Sequence, residues 1–318
     1  MLMGFKKGNA RELFIRSPHN PIITYQDIPS ACNSVFNPGA TMFGDETLLL
    51  LRVEDLEGRS YLTVARSRDG ETDWRIENKP LLFPGDPGHP EEGFGCEDPR
   101  ITWVEELGKW VIAYTAYSRF GAGVALASTT DFETVEKTGL ILAPSNKDAA
   151  LFPRRIKDKW WLLHRPVAGE QEHIWLTCSY DMVHWGCPKV ILEERGGPWW
   201  DGIRIGAGPP PIETSEGWLL LYHGVKSFPS GPAYRMGLAL LDLEEPWKVI
   251  SRVPHWVLGP HEPYEFMGDV PNVVFANGAV VRNGEVWLYY GAADFCVCLA
   301  KAPLDLLLEV ALEAKSKR

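Results

Sequence analysis

Lys109-Trp-Val-Ile-Ala-Tyr-Thr-Ala-Tyr117, followed after a short turn by Gly123-Val-Ala-Leu-Ala-Ser-Thr-Thr-Asp131-Phe132, reads as the two strands of one β-hairpin. An aromatic residue opens it and small residues close on an Asp. The same pattern recurs at Thr47–Arg52 with Tyr61–Gly70, and at Lys159–His164 with Ile174–Met182. It returns at Gly217–Gly224 with Arg235–Leu243 and at Glu285–Gly291 with Cys296–Leu306. The copies lie roughly 50 to 70 residues apart, room for about four strands each, and units of that kind set radially make a β-propeller. Five copies predict an all-β chain, a five-bladed β-propeller occupying residues 1–318 as a single domain. Alternating hydrophobics occur in any β-sandwich, but the recurring tryptophan and terminal Asp favour the propeller. One helix is expected, at the end near Leu306–Lys315, where Leu, Glu and Ala dominate.

The composition agrees with many short strands: 30 Gly and 25 Pro punctuate the 318 residues, and 45% hydrophobic content supplies a core. Lys plus Arg is 32 against 42 Asp plus Glu, a net charge of −10. That balance speaks against a nucleic-acid or membrane-surface binder, which needs a basic face, so any bound anion must meet a local cluster of cations. The start, Met1 to Asn9, has no apolar segment of the secretory kind, and no stretch approaches the roughly 18 apolar residues of a membrane span. A cytoplasmic location is expected. Six scattered cysteines without a CxxC pair read as buried thiols rather than metal ligands or disulfides, with Cys296 and Cys298 on one strand face.

In a propeller the functional side chains come from innermost strands and the loops between blades, so polar stretches beside the hairpins carry the chemistry. Three stand near the start: Asn33-Ser-Val-Phe-Asn37-Pro38-Gly39, Arg52-Val-Glu54-Asp55, and Gly93-Phe-Gly-Cys-Glu97-Asp98-Pro99-Arg100. Asp98 would sit at a strand entrance with Pro99 fixing the backbone, where a general acid fits if burial or a neighbour such as Glu97 raises its pKa. A turn capped by Asp98 with Arg100 in a surface ion pair is the plainer reading of the same spacing. Further along come Asn146-Lys147-Asp148, His164-Arg165-Pro166, Arg204-Ile205-Gly206, Tyr222-His223-Gly224 and Tyr234-Arg235. Singly, these residues read as rim charges or a satisfied core histidine. Together, an inward Arg165, Arg204 and His223 would form a pocket for phosphate or carboxylate.

GxxxxGK[ST], GxSxG and HExxH motifs are all absent, and Gly206-Ala207-Gly208 runs into three prolines that deny it a helix. Nucleotide, serine-hydrolase and zinc-protease readings therefore lack their usual warrants. Aromatic residues beside carboxylates suit a sugar, whose faces stack on rings while its hydroxyls bond to acids.

Taken in order, these motifs resemble those of glycoside hydrolase family 130, the β-mannoside phosphorylases and β-mannosidases. The resemblance runs from Asn33–Gly39 through Glu97–Arg100, Lys147–Pro153, Leu163–Pro166, Ile205–Pro211 and Val270–Phe275 to Tyr290–Asp294. It implies a five-bladed propeller whose central pocket holds a mannosyl unit. Asp98 would be the proton donor, acting through the mannose 3-hydroxyl while inorganic phosphate attacks the anomeric carbon from the opposite face to give α-mannose 1-phosphate. By the same resemblance Arg165, Arg204, His223 and Tyr234 are the phosphate-binding residues, and Asn33, Arg52, Lys147 and Asp294 bind substrate. The family commonly carries Lys where Arg204 stands; Arg keeps the charge and adds a two-pronged hydrogen-bonding geometry.

Phosphorolysis is expected over hydrolysis, because an inverting hydrolase needs a second carboxylate to draw a proton from water, whereas phosphate arrives anionic and needs cations. A β-1,2-mannosidase and a glycan-binding propeller without turnover are the alternatives. No metal or cofactor is implied, phosphate being a co-substrate. The expected partners are the β-mannoside and phosphate, with no nucleic acid or membrane, and a homo-oligomer is compatible with this reading. β-1,2-Mannobiose, β-1,4-mannooligosaccharides and mannosyl-N-acetylglucosamine present the same mannosyl group, so linkage falls to rim residues. Candidates are Tyr117–Arg119, Trp199-Trp200 and His261–Tyr264, and the modest chain length leans toward short mannosides.

Overall fold

The computed structural model describes residues 12–167, 169 and 172–316, so the stretch Met1–Asn9 read above lies outside the described residues. Its strands fall into five antiparallel units. The first is Ser34–Phe43, Glu46–Glu54, Ser60–Ser67 and Arg75–Ile76; the second is Gly95–Val104, Lys109–Ser118, Gly121–Thr129 and Glu136–Leu142. A single parallel pairing, Ser60 with Gly95, joins these two into one sheet. The third is Asn146–Leu151, Trp160–Pro166, Ile174–Ser179 and Gly186–Leu192. The fourth is Arg204–Ala207, Gly217–Phe228, Gly231–Leu241 and Val249–Arg252, with Ile212–Thr214 as an extra partner of its second strand. The fifth takes Val274–Arg282, Glu285–Ala292 and Cys296–Pro303 and borrows Ile15–Arg16 from the other end of the chain as its fourth strand. The helix at the end spans Leu304–Ser316 and buries Leu307 and Ala311 against the fourth and fifth units.

Each hairpin recognised in the sequence is the second and third strand of a unit. These strands read as near-continuous apolar runs because both of their faces are buried. Leu48 and Leu50 pack with Ile112 and Tyr114 of the second unit, whereas Leu49 and Leu51 pack with Tyr289 and Val297 of the fifth. Trp160 likewise joins Val111 and Leu126 of the second unit, and its neighbour Trp161 joins Trp218 and Leu220 of the fourth. Leu219 and Leu221 then pack with Leu288 and Tyr290. Apolar contact thus passes from unit to unit and returns to the first, a closed cycle in which alternate residues of one strand serve two neighbours.

The first strand of four units breaks its register at the same place. Bulges fall between Phe36 and Gly39, Glu97 and Arg100, Lys147 and Ala150, and Ala276 and Gly278. Asn37, Asp98 and Asp148 occupy three of them at φ of 46°, 50° and 55°. Asn and Asp tolerate this left-handed region better than branched side chains do, and a bulge re-aims the side chain it carries. Asp98 therefore lies within a strand rather than at its entrance. Five of the six cysteines are buried and all are free; Cys187 is exposed. No helix among the described residues is long and apolar enough to cross a membrane.

Arg16 ties the borrowed strand to the segment around Glu265. Its guanidinium donates to both Glu265 oxygens at 2.8 and 3.0 Å, to Glu12 at 2.7 Å and to the Gly259 carbonyl at 2.6 Å. Glu265 is wholly buried and also accepts from the Tyr290 hydroxyl. Removing one partner of a buried pair leaves a desolvated charge uncompensated. Arg16→Ala is expected to lower unfolding free energy by about 3 kcal/mol, read from the denaturant midpoint at constant m-value; a change under half that size would show that the Arg16–Glu265 pair does not anchor this strand.

Candidate active site

A cavity of about 550 Å³ opens where the first strands of the units converge. Asp98, Arg52, Lys147, Arg165, Arg204, Tyr234 and Asp294 all line it. Two of the expected residues do not. Asn33 is half-buried outside the lining and donates to Asp269 at 2.7 Å, while His223 is wholly buried behind Phe275, with ring centroids 4.6 Å apart.

One group of side chains gathers around Arg52. Its guanidinium donates to Asp98 at 2.9 Å, lies 3.3 Å from Glu97 and sits over the Phe36 ring. Asn37 also donates to the same Asp98 oxygen at 2.9 Å. Burial pushes the Asp98 carboxyl up, but Arg52, Lys147, the Asn37 amide and Arg100 outweigh it and hold the group below its ordinary value. This corrects the expectation that burial or Glu97 would raise it: among these cations Asp98 is a carboxylate at neutral pH. The raised acid is Asp294, pushed up to about 7 by burial, with Asp98, Asp269 and Glu54 adding to the shift against the pull of Arg52.

The second group surrounds Arg165. Its Nε donates to Asp148 Oδ2 at 2.5 Å, and another guanidinium nitrogen pairs with Glu172, whose other oxygen lies 3.6 Å from Arg204. Asp148 also meets Arg100 at 3.2 Å. Burial pushes Asp148 up, yet the cations, Arg165 foremost, hold it well below the carboxylate range. His223 Nε2 is 3.6 Å from Asp148, but burial, joined by Arg165, Arg100 and Arg204, pushes the imidazole down to about 3. The ring is neutral at pH 7, so His223 adds hydrogen-bonding capacity to this region rather than the positive charge expected of it. Neither of its nitrogens, nor the buried Arg204 Nε, has a hydrogen-bond partner among the described residues. An orphaned buried donor beside a cavity, here Arg204 Nε, marks a place for an acceptor-rich ligand.

Arg100 is not a surface residue. It is 1% exposed and donates to the Gly208 and Ala207 carbonyls at 2.9 and 2.8 Å and to the Asp98 carbonyl at 3.0 Å. Of the rim candidates, exposed Tyr117 lines the cavity. Trp200 is buried and stacks on Tyr222, while Trp199 borders a separate groove with Phe228 and Trp256. His261 and Tyr264 are absent from the cavity lining. His89, Glu91 and Glu92 also converge, away from this cavity, but Glu92 is already bound by Tyr114 and Lys137.

Residues 11–313 match the sequence profile of the family described as β-1,4-mannooligosaccharide phosphorylase. The chain belongs to glycoside hydrolase family 130. Among its relatives, a β-1,2-mannobiose phosphorylase of Listeria innocua is 38% identical over 82% of this chain and 73% of its own. A β-1,4-mannooligosaccharide phosphorylase of Ruminococcus albus is 34% identical over 94% of this chain and 91% of its own. The solved structure of the β-1,2-mannobiose phosphorylase from Listeria innocua in complex with β-1,2-mannobiose superimposes with a TM-score of 0.86 at 32% identity, covering 94% of this chain and 99% of that one.

This family 130 enzyme also places in the cavity Asn37, Asp148 and Phe275, which stand in the motifs read above without a role of their own, and Glu172, which stands in none of them. Asp148 has a local signal, an Asx residue ending the short polar run Asn146-Lys147-Asp148 before Ala149 as Glu97-Asp98 ends before Pro99; Asn37 shares only the proline that follows it. Glu172 has none.

A carboxyl depressed in the folded state contributes stability above its unfolded pKa of about 3.9, and that contribution is lost as pH falls through the lower folded value. Asp148→Asn is therefore expected to destabilise the protein by about 3 kcal/mol at pH 7, with the gap to wild type narrowing below about pH 4. Urea midpoints taken across that range check it; a gap independent of pH would assign the loss to packing instead.

Proposed function

We propose that this enzyme phosphorolyses β-1,2- or β-1,4-linked mannosides with inversion, using inorganic phosphate and releasing α-mannose 1-phosphate and the shortened acceptor sugar. The observation that carries the proposal is the division of one cavity into an acid group around Arg52 and an arginine group with an orphaned donor. The five cyclically packed units are on this reading the blades of a five-bladed propeller, with the cavity at its axis. Mannose lies against Asp98, Arg52, Asp294 and Asn37, and Lys147 stands between the two groups, its Nζ 4.0 Å from Glu97. Phosphate takes Arg165, Arg204 and Tyr234, with neutral His223 behind.

In the reaction a phosphate oxygen bonds to the anomeric carbon as the glycosidic C–O bond breaks. The proton reaching the leaving oxygen passes through the mannose 3-hydroxyl from Asp98, which ends as a carboxylate. Asp98 must therefore gain its proton when the site fills. A bound mannoside excludes water, and the phosphate charge offsets the cations that hold Asp98 ionised, so both substrates raise its pKa together. Asp294, neutral or ionised near pH 7, neighbours the same arginine and suits a hydroxyl donor or acceptor. Hydrolysis is disfavoured because the two carboxylates of the arginine group, Asp148 and Glu172, are engaged by Arg165 rather than available to draw a proton from water. A cytoplasmic setting fits, since phosphate is abundant there and a sugar phosphate is retained.

Release of mannose 1-phosphate and of free mannose from a panel of β-mannosides, with and without phosphate, tests the proposal. Phosphate-dependent mannose 1-phosphate is expected; free mannose formed without phosphate would make the enzyme a hydrolase, and no product at all would return it to glycan binding. Asp98→Asn should lower kcat by about 10³-fold, the scale of a positioned general acid, while calorimetry still detects mannoside binding. Turnover within tenfold of wild type would remove Asp98 from the role of proton donor.

A further inference from the structure

Two carboxylates share Arg165, and the structure treats them differently. Asp148 sits on the first strand of its unit, its side chain 2% exposed and pinned between Arg165 and Arg100. It is a permanent part of the wall. Glu172 belongs to the segment that leads into the strand Ile174–Ser179, and its backbone is anchored where the Ile205 amide donates to the Glu172 carbonyl at 3.0 Å. Its carboxylate reaches into the cavity and bridges Arg165 and Arg204.

We infer that Glu172 is a built-in counter-anion that inorganic phosphate displaces, and that it thereby sets the affinity of the enzyme for phosphate. The inference rests on the assignment of Arg165 and Arg204 to phosphate made above. A carboxylate offers guanidinium groups the same kind of paired oxygen acceptors that phosphate does, so the two compete for the same nitrogens. They cannot share them, because a second anion brought against Glu172 in a largely buried site is repelled. The fit of Glu172 is also incomplete. Arg204 Nε stays without a partner while it is in place, and a tetrahedral anion has oxygens in more directions with which to reach it.

The arrangement has a physical rationale at each stage of turnover. Before phosphate binds, Glu172 compensates Arg204, which has no other carboxylate among the described residues, and shares Arg165 with Asp148, so no arginine is left uncompensated in a desolvated site. When phosphate arrives, rotation about the Glu172 side-chain torsions frees the arginines without moving the anchored backbone. After reaction the product is again an anion on the same arginines, and return of Glu172 favours its departure.

Glu172→Gln keeps size and hydrogen-bonding capacity and removes the charge. The expected result is a phosphate Kd, by calorimetry, and a phosphate KM each lowered about tenfold, a modest step for one like charge in a partly buried site. Inhibition by mannose 1-phosphate should tighten in parallel, with the KM for mannoside unmoved. Glu172→Asp, which draws the charge back by one methylene, should fall between. A phosphate KM that rises or stays constant in Glu172→Gln would overturn the inference, since it would make Glu172 a residue that positions the arginines or one without influence on them. If the Gln variant fails to fold by thermal melt, the Asp variant carries the same test with the same overturning result. A wild-type enzyme that shows neither phosphate binding nor mannose 1-phosphate formation would instead refute the assignment of the arginines, whatever the variants do.

Discussion

The Arg100 guanidinium holds together the place where three units meet. From the second unit it spends its donors on two carbonyls at the end of the first strand of the fourth, on the Asp98 carbonyl and on Asp148 of the third. Burial disfavours its charge, and the neighbouring Asp148 and Asp98 offset that penalty only in part. The rigid fork of an arginine is suited to this task because it satisfies several acceptors in one plane, where a lysine would leave most of them unmet. Through it the backbone at Asp98 and the carboxylate of Asp148, one in each half of the cavity, are tied to the same guanidinium.

Around that fixed point the cavity is close to charge-balanced. Arg52 faces Asp98 and Glu97, and Arg165 faces Asp148 and Glu172, so neither a bare acid nor a bare cation greets an incoming ligand. On the proposed mechanism Asp98, ionised beside these cations, gains its proton as substrates exclude water and shift the balance, while buried His223 stays neutral. A protein of net charge −10 can hold a doubly charged anion on these terms because the attraction is local and desolvated rather than long-ranged.

The legible part of the fold was its second and third strands. Thr47–Arg52 and Gly217–Gly224 announce themselves because burial on both faces demands unbroken apolar residues. The first strands are polar where they meet the cavity, and four of them are bulged there, so they read as loops with interesting residues rather than as strands. Asp98, Arg165 and Arg204 stood out as charges in apolar or glycine-rich surroundings. Asn33 entered as a sugar contact by the family resemblance alone; in the structure the bulge between Phe36 and Gly39 turns Asn37 of the same motif onto Asp98.

By itself the sequence determined the five-fold hairpin repeat, the all-β class, the C-terminal helix and the family, since each is written in local periodicity or contiguous motifs. Tertiary structure alone decided that the chain end at Ile15–Arg16 completes the fifth unit, that Arg100 is a buried tie and not a surface charge, and that Glu172 rests on the arginines. It also decided protonation: Asp98 is lowered, Asp294 raised and His223 neutral because burial and the charges of residues tens to hundreds of positions away set the energy of each ionised form. Those distances in sequence carry no periodic signal, and only folding converts them into ångströms.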